Sequence, residues 1–315
     1  GLEESMWAAQ LEVDAALIRL AAVRAAKTRL DALIDEAMAE VPRLRILEQH
    51  GRISSGALSS FQLTMGKLLE RRAQIVLDVV SAREALANAT GLAADAPALD
   101  VPGAQTLDAW ESRSGVGSMG HEPDACELLV RIPRLRGLLL EYAIAEARLR
   151  QAATRRWPSL AIGPHLSWSD PDLLVGALLG SEIPWPGSLE GEVLAASSER
   201  EAARERVEDG LQAFLVRCRS ASDRRVASLD LLHQGAKPAA EESARLWQAA
   251  RARFSIDPTG LEALARAMEV RANALQGLEL ARAEALIAEL QFEWSQGPDG
   301  NAPRLVASPI AEVTQ

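Results

Sequence analysis

The chain has 315 residues, of which 48% are apolar but only 4% aromatic, so a core of Ala and Leu side chains is expected. Such a composition favours helices packed on helices. The net charge is -10 at pH 7, and without a basic tract no nucleic-acid partner is expected. Cys126 and Cys218 are far apart and match no metal-binding spacing, so both are interpreted as small buried residues.

Helical spacing of apolar residues runs from Leu2 to Gln49 and predicts a first long helix. Residues 50–56, HGRISSG, interrupt this pattern. A second helix is then expected from Leu58 to Ala89, ended by Gly91. Two long helices joined by a short turn pack antiparallel, so residues 1–91 are predicted to form a helical hairpin.

The rest of the chain changes its pattern several times. Residues 92–120 lose the helical spacing and carry Pro, Gly and Ser, which predicts an irregular connector. A helix is predicted over 121–157, a β-hairpin over 158–186 and a second long helical hairpin over 187–294. The polar, Pro-bearing residues 295–315 predict an extended or disordered tail.

An internal repeat is found when the two breaks in the long helices are superposed. The shift that places Gly51 on Asp257 also places Leu58 on Leu264. The second repeat starts near His121 and includes the β-hairpin, whereas the first begins within its long helix. We therefore expect the first repeat to be cut short, with a matching helix and strand pair before residue 1.

Two runs within 158–186 alternate with the period of a β-strand, from Ser159 to Trp168 and from Leu173 to Trp185. Each is long enough to cross a bilayer as a tilted strand, which takes about 10 residues. One face of the pair carries mostly small and polar residues together with two leucines: Ser159, Ala161, Gly163, His165, Ser167, Leu174, Gly176, Leu178, Gly180 and Glu182. The alternation also fits a soluble hairpin whose apolar face covers a helix bundle.

Three tryptophans bracket these runs. Trp157 precedes the first strand and Trp185 ends the second, so both would lie at one level of a hairpin, with Trp168 at the other. Tryptophan is enriched at the two interfaces of a membrane. This arrangement favours a hairpin that crosses a bilayer.

The order of these elements resembles that of the TolC family of outer-membrane efflux channels. A helix ending RRWPSLAIG, an alternating hairpin and IPWPG before a very long helix are similar to the strand start and strand end of that family. HGRISSGALSS is similar to its helix-turn-helix tip. The resemblance covers Leu2 to Trp294, although each motif is short, and its strength lies in their order.

The resemblance implies a mainly α fold. Long antiparallel coiled helices would form a helical barrel, and a short β-hairpin would contribute to a transmembrane β-barrel in a trimer. The implied function is an outer-membrane channel subunit of a tripartite efflux or secretion system, a passive conduit with most of the chain in the periplasm. The alternative is a soluble periplasmic coiled-coil scaffold or adaptor without a pore.

The implied partners are further copies in a homotrimer, a periplasmic adaptor protein, an inner-membrane pump and outer-membrane lipid. Neither an enzymatic activity nor a cofactor or metal ion is expected. The adaptor-docking tips would be Gly51, Arg52, Ser54, Ser55, Asp257 and Thr259. The lumen would be lined by Ser159, His165, Gly176 and Glu182, and the membrane belt would consist of Trp157, Trp168 and Trp185.

The sequence departs from the family pattern in two respects. Each protomer of the family contributes two β-hairpins, whereas this sequence supplies one, so either an N-terminal hairpin precedes residue 1 or the protein is a reduced relative. At the second tip Asp257 stands where the family has Gly. Ser59 and Arg266 stand where an acidic residue is usual, which puts an acidic constriction in doubt.

Signals for catalysis are poor. Residues 115–120, GVGSMG, match the G-x-G-x-x-G pattern, but no strand is predicted before them, so a loop is expected. The four histidines stand in separate elements without an H-E-x-x-H motif, so zinc catalysis is not expected.

Overall fold

The computed structural model describes residues 2–113, 132–155, 159–169, 172–182 and 190–295. It is mainly helical, as predicted, with a single antiparallel strand pair in these ranges. The α-helices are α1 (Leu2–Gln49), α2 (Ser55–Thr90), α3 (Gly103–Arg113), α4 (Pro133–Thr154), α5 (Glu190–Asp230), α6 (Lys237–Ile256) and α7 (Leu261–Ser295), and the strands are β1 (Ser159–Ser169) and β2 (Asp172–Glu182). None of these helices is both long and apolar enough to cross a bilayer.

The chain divides into two compact units. We call the described residues of 2–113 and 218–295 the long-helix unit, and those of 132–217 the hairpin unit. The segments GVGSMG and 296–315, together with Cys126, Trp157 and Trp185, lie outside the described residues.

Local capping explains where α2 begins and ends. The Ser54 hydroxyl accepts a hydrogen bond from the Ala57 backbone N–H at 3.1 Å, so it satisfies one of the free donors of the first turn. At the other end Gly91 has a φ of 69° and its N–H donates to the Ala87 carbonyl. A left-handed residue without a Cβ commonly ends a helix in this way.

The long-helix unit holds the main apolar core. α1 packs against α2, α3 and α7, and α7 also contacts α2 and α6. One apolar cluster joins α1, α2, α6 and α7, and its fully buried members include Leu44, Phe61, Phe254, Leu261 and Leu264. The heavy use of Ala and Leu in these helices allows close helix packing around a few buried aromatic side chains.

Residues 92–120 were predicted to form an irregular connector. This prediction is wrong for residues 103–113, which form the helix α3. Leu107 and Trp110 lie one turn apart on this helix and are buried against α1 and α7. A Cβ on Gly103 would lie 2.6 Å from the Ala25 backbone nitrogen, so the helix approaches α1 closely because glycine stands there. Since an 11-residue helix is marginal on its own, tertiary packing stabilises α3.

Between α5 and α6 the chain forms a π-helical turn, Leu231–Ala236. An irregular step of this kind accommodates Pro238, which cannot donate a backbone hydrogen bond.

Cys218, within α5, is half-buried rather than buried, and its Sγ donates to the Ser295 carbonyl at 3.3 Å. The prediction that Cys218 is buried is therefore wrong, since its side chain is only partly buried.

The hairpin unit has a small core. Ile132 and Leu135, at the start of α4, pack with Leu138, Leu211 and Phe214, of which the last two belong to α5. Ion pairs join the same two helices, such as Arg206–Glu141 at 3.0 Å and Arg200–Glu146 at 2.7 Å.

The two strands pair antiparallel over their full described length. Ser159 lies opposite Glu182 and Ser169 lies opposite Asp172, so residues 170–171 connect the strands. The predicted second strand ran to Trp185, and residues 183–185 lie outside the described ranges.

Candidate functional site

The first candidate site is the turn between α1 and α2. Gly51 adopts a φ of 69°, a conformation that side chains with a Cβ rarely adopt, and its N–H donates to the Glu48 carbonyl at 2.8 Å. Ser54 caps α2, and Ser55 is the first residue of that helix. The four predicted docking residues Gly51, Arg52, Ser54 and Ser55 are all exposed. The turn therefore offers a polar surface on a hydrogen-bonded backbone.

The second candidate site is the turn between α6 and α7. The Asp257 carboxylate accepts from the Thr259 N–H at 3.0 Å and from the Thr259 hydroxyl at 2.8 Å. These hydrogen bonds, the backbone bond first, hold the pKa of the Asp257 carboxyl below its usual range, because they stabilise the charged form. Pro258 opens a short 3₁₀ turn. Asp257 and Thr259 are both exposed, and the turn carries a fixed negative charge.

The two turns are brought together by a common core. Ile53 from the first turn belongs to the same apolar cluster as Phe254 and Leu261, which flank the second. Arg43 links the same region, because its Nη2 donates to the Ser255 carbonyl at 3.4 Å and its guanidinium lies 5.7 Å from the centre of the Phe254 ring. The predicted docking residues of both repeats therefore belong to one end of the long-helix unit.

Two residues of this region were missed by the reasoning from sequence. Ile256 precedes Asp257 and is 87% exposed, an unusual state for a large aliphatic side chain. Arg43 was passed over because it stands inside the helical pattern of α1. The signal for Ile256 was available, since an apolar residue beside Asp-Pro falls in a turn and has little core to enter.

The residues that replace the acidic positions of the family have ordinary roles. Arg266 is exposed on α7 and lies 3.9 Å from Glu262, one turn earlier. The Ser59 hydroxyl donates to the Ser55 carbonyl within α2. Neither supplies negative charge at the tips.

The β-hairpin register brings the predicted lumen residues into two opposed pairs. Ser159 is the Cα partner of Glu182, and His165 is the Cα partner of Gly176. Because strand faces alternate with period two, all four positions share one face. Trp168 is 80% exposed. Within the described residues no group of three His, Cys, Asp or Glu side chains could share a metal ion.

Comparison with known proteins gives results at the level of fold. No protein-family model matches the chain, and no curated protein matches it. The chain is similar to CusC, whose crystal structures concern folding and transmembrane channel formation. The TM-score is 0.70 at 14% sequence identity, and the match covers 94% of this chain and 71% of CusC.

Two further solved structures agree. The outer membrane protein VceC from Vibrio cholerae has a TM-score of 0.64 and 14% identity, covering 92% of this chain and 70% of its own. The open-state MtrE outer membrane channel of Neisseria gonorrhoeae has a TM-score of 0.67 and 15% identity, covering 92% of this chain and 66% of its own. The chain has the fold of these outer-membrane channels, which confirms the resemblance to TolC-like proteins.

Proposed function

We propose that this chain is a subunit of an outer-membrane channel, a passive conduit from the periplasm to the exterior in an efflux or secretion system. The supporting observation is the match of almost the whole chain to outer-membrane channel structures. The strand pair β1–β2 fits this function, since each strand has 11 residues and a tilted strand of about that length spans a bilayer.

In this proposal three protomers combine their β-hairpins into one membrane barrel. The face that carries Ser159, His165, Gly176 and Glu182 lines its lumen, where small side chains leave room for water. Trp168 lies at one membrane interface, and Trp157 and Trp185 lie at the opposite interface. Such a channel makes no covalent bond, so its function depends on shape and charge alone.

The paired turns of the long-helix unit are the proposed docking site for a periplasmic adaptor, which connects the channel to an inner-membrane pump. Arg52, Asp257 and Thr259 provide polar contacts, and Ile256 provides an apolar anchor beside them. An exposed aliphatic side chain in a rim of polar residues is a common arrangement at interfaces between proteins.

The channel proposal is tested by extracting the full-length protein from membranes in detergent and determining its symmetry and strand number by cryo-EM, with conductance recorded in planar bilayers. A threefold tube that conducts ions is the expected result. Glu182→Gln should lower the cation preference of the current, because it removes a negative charge from the lumen. A protein that stays soluble without detergent and never conducts would identify the scaffold instead.

The docking proposal has a separate test. A photo-crosslinking residue at position 259 should form a covalent adduct with a periplasmic adaptor protein in cells. The matched control is position 245, where Arg245 is also exposed, on α6, but lies away from the turns. Adducts of the same yield at both positions would contradict docking at the tips.

A further inference from the structure

A groove of about 500 Å³ lies in the long-helix unit where α1, α6 and α7 meet. This volume is within the range of small-molecule sites, roughly 300 to 1,000 Å³. Apolar surface and guanidinium groups converge on it from Leu33, Trp247, Leu275, Arg29, Arg251 and Arg271. The channel function proposed above assigns no role to this groove.

The three arginines differ in how their charges are compensated. Arg29 lies 2.8 Å from the buried Glu279 carboxylate, and Arg251 lies 3.2 Å from Glu40. Arg271 instead donates from Nη1 to the Ala240 carbonyl at 2.7 Å and to the Ser243 hydroxyl at 3.3 Å. Among the described residues no carboxylate lies within ion-pairing distance of Arg271, although the negative charge of Glu36 favours its protonated form from further away.

Two guanidinium groups, those of Arg29 and Arg271, influence each other in the groove. Burial, and then the neighbouring Arg29 charge, lower the pKa of the Arg271 guanidinium, because both disfavour the charged form. An arginine nevertheless stays protonated in proteins. The negative charge of Glu36 acts in the opposite direction, and a bound negative charge would further offset the repulsion between Arg29 and Arg271.

Hydrogen bonds to neighbouring groups hold the Arg271 and Trp247 side chains in place. Ser243, which accepts from Arg271, is itself buried and donates to the Ala240 carbonyl at 2.8 Å. Trp247 is buried, and its Nε1 donates to the Glu36 carboxylate at 3.1 Å. Groups fixed in this way lose little conformational entropy when a ligand binds.

We propose that this groove binds a small organic anion, whose single carboxylate or phosphate group contacts Arg271 and Arg29 and whose apolar portion lies along Leu33, Trp247 and Leu275. Glu36 also lines the groove and is negative, so a monoanion fits better than a ligand with several charges. The proposal stands on the groove alone and does not depend on the channel function.

The test uses isothermal titration calorimetry of the full chain with naphthoate and with its uncharged carboxamide. Naphthoate should bind saturably and at least about tenfold more tightly than the carboxamide, since a charge-assisted hydrogen bond is stronger than a neutral one. Arg271→Gln should weaken naphthoate binding about tenfold, and Arg271→Lys should weaken it less because the charge is kept.

The matched control is Arg266→Gln on the same helix, where the side chain is 82% exposed and lies outside the groove. The Arg266→Gln variant should bind naphthoate with the same affinity as the original chain. No saturable binding, equal binding of the carboxamide, or an unchanged affinity in Arg271→Gln would each overturn the proposal. If Arg271→Gln does not fold, the comparison of naphthoate with the carboxamide on the original chain decides.

Discussion

The long-helix unit and the hairpin unit are built from similar Ala-rich helices but are stabilised in different ways. In the long-helix unit each of α1 and α7 contacts several other helices, and the buried apolar clusters extend along them. In the hairpin unit α4 and α5 share one small cluster around Leu135, and exposed ion pairs also join them. One unit therefore has its own core, and the other has little.

Large apolar side chains are exposed in both units, and those of the hairpin unit lie beside its small core. Leu140 is 58% exposed, and Ile144, one turn further along α4, is also exposed, as is Leu194 at the start of α5. A two-helix hairpin cannot bury such side chains by itself. This pattern agrees with the proposed trimer, in which neighbouring protomers would cover them.

The largest expected difference in stability between the two units comes from a buried charge network in the long-helix unit. Arg282 on α7 contacts Glu111 at 2.7 Å, Glu279 at 3.4 Å and also Asp108, so it joins α3 to the core. Arg282→Ala should lower the free energy of unfolding by about 3 to 5 kcal/mol, because Glu279 loses a partner while it stays buried. The measurement is urea unfolding followed by circular dichroism.

The matched substitution in the hairpin unit is Arg206→Ala, which removes an exposed ion pair to Glu141. A loss of at most about 1 kcal/mol is expected there, since water screens exposed charges. Equal losses in the two variants would show that the two units do not differ in this way.

Apolar truncation gives the next largest contrast. Leu264→Ala on α7 removes a fully buried side chain from the main core, which should cost about 2 to 5 kcal/mol. Leu140→Ala on α4 removes an exposed one, and the detergent-solubilised monomer should change by about 0.5 kcal/mol or less. Urea unfolding of both variants measures the difference, and a large loss for Leu140→Ala would reveal a partner surface within the protomer.

Asp14 on α1 is buried, and burial raises the pKa of its carboxyl from 3.8 to about 6. The folded state thus keeps a proton that the unfolded chain releases between these values, so stability falls as pH rises through this window and the penalty is complete above it. Asp14→Asn should remove this dependence and stabilise the chain at pH 7 by up to about 3 kcal/mol.

The measurement for Asp14→Asn is thermal unfolding of both chains between pH 4 and pH 7. The difference between the two curves isolates this carboxyl from the other acidic groups. A constant difference across that range would show that Asp14 does not titrate there.

Two glycines give a further contrast between the units, with expected effects of opposite sign. Gly103→Ala should destabilise the long-helix unit by about 1 to 3 kcal/mol, because its Cβ would meet the α1 backbone. Gly137→Ala lies within α4, where no atom is within 4 Å of the added Cβ. It should stabilise that helix by about 0.5 to 1 kcal/mol. Thermal unfolding measures both, and a loss in each would contradict the open packing assigned to α4.

The sequence predicted the long helices well, because each depends on spacing and capping within a few neighbouring residues. α1 ends at Gln49 as the HGRISSG interruption requires, and α7 runs from Leu261 to within one residue of the predicted end. The strand pair was also visible from its alternation, and the turns at Gly51 and Asp257 were located from the repeat. α3 was missed because two apolar residues one turn apart are too weak a signal.

By itself the sequence determined the helices, their breaks, the strand alternation and the resemblance that led to the channel fold, since all of these are patterns along the chain. Only the tertiary structure decided which charges are buried and where the groove lies. Arg29, Trp247 and Arg271 stand on three helices far apart in sequence. No local pattern joins them, because burial and charge neighbours arise only when distant helices pack together.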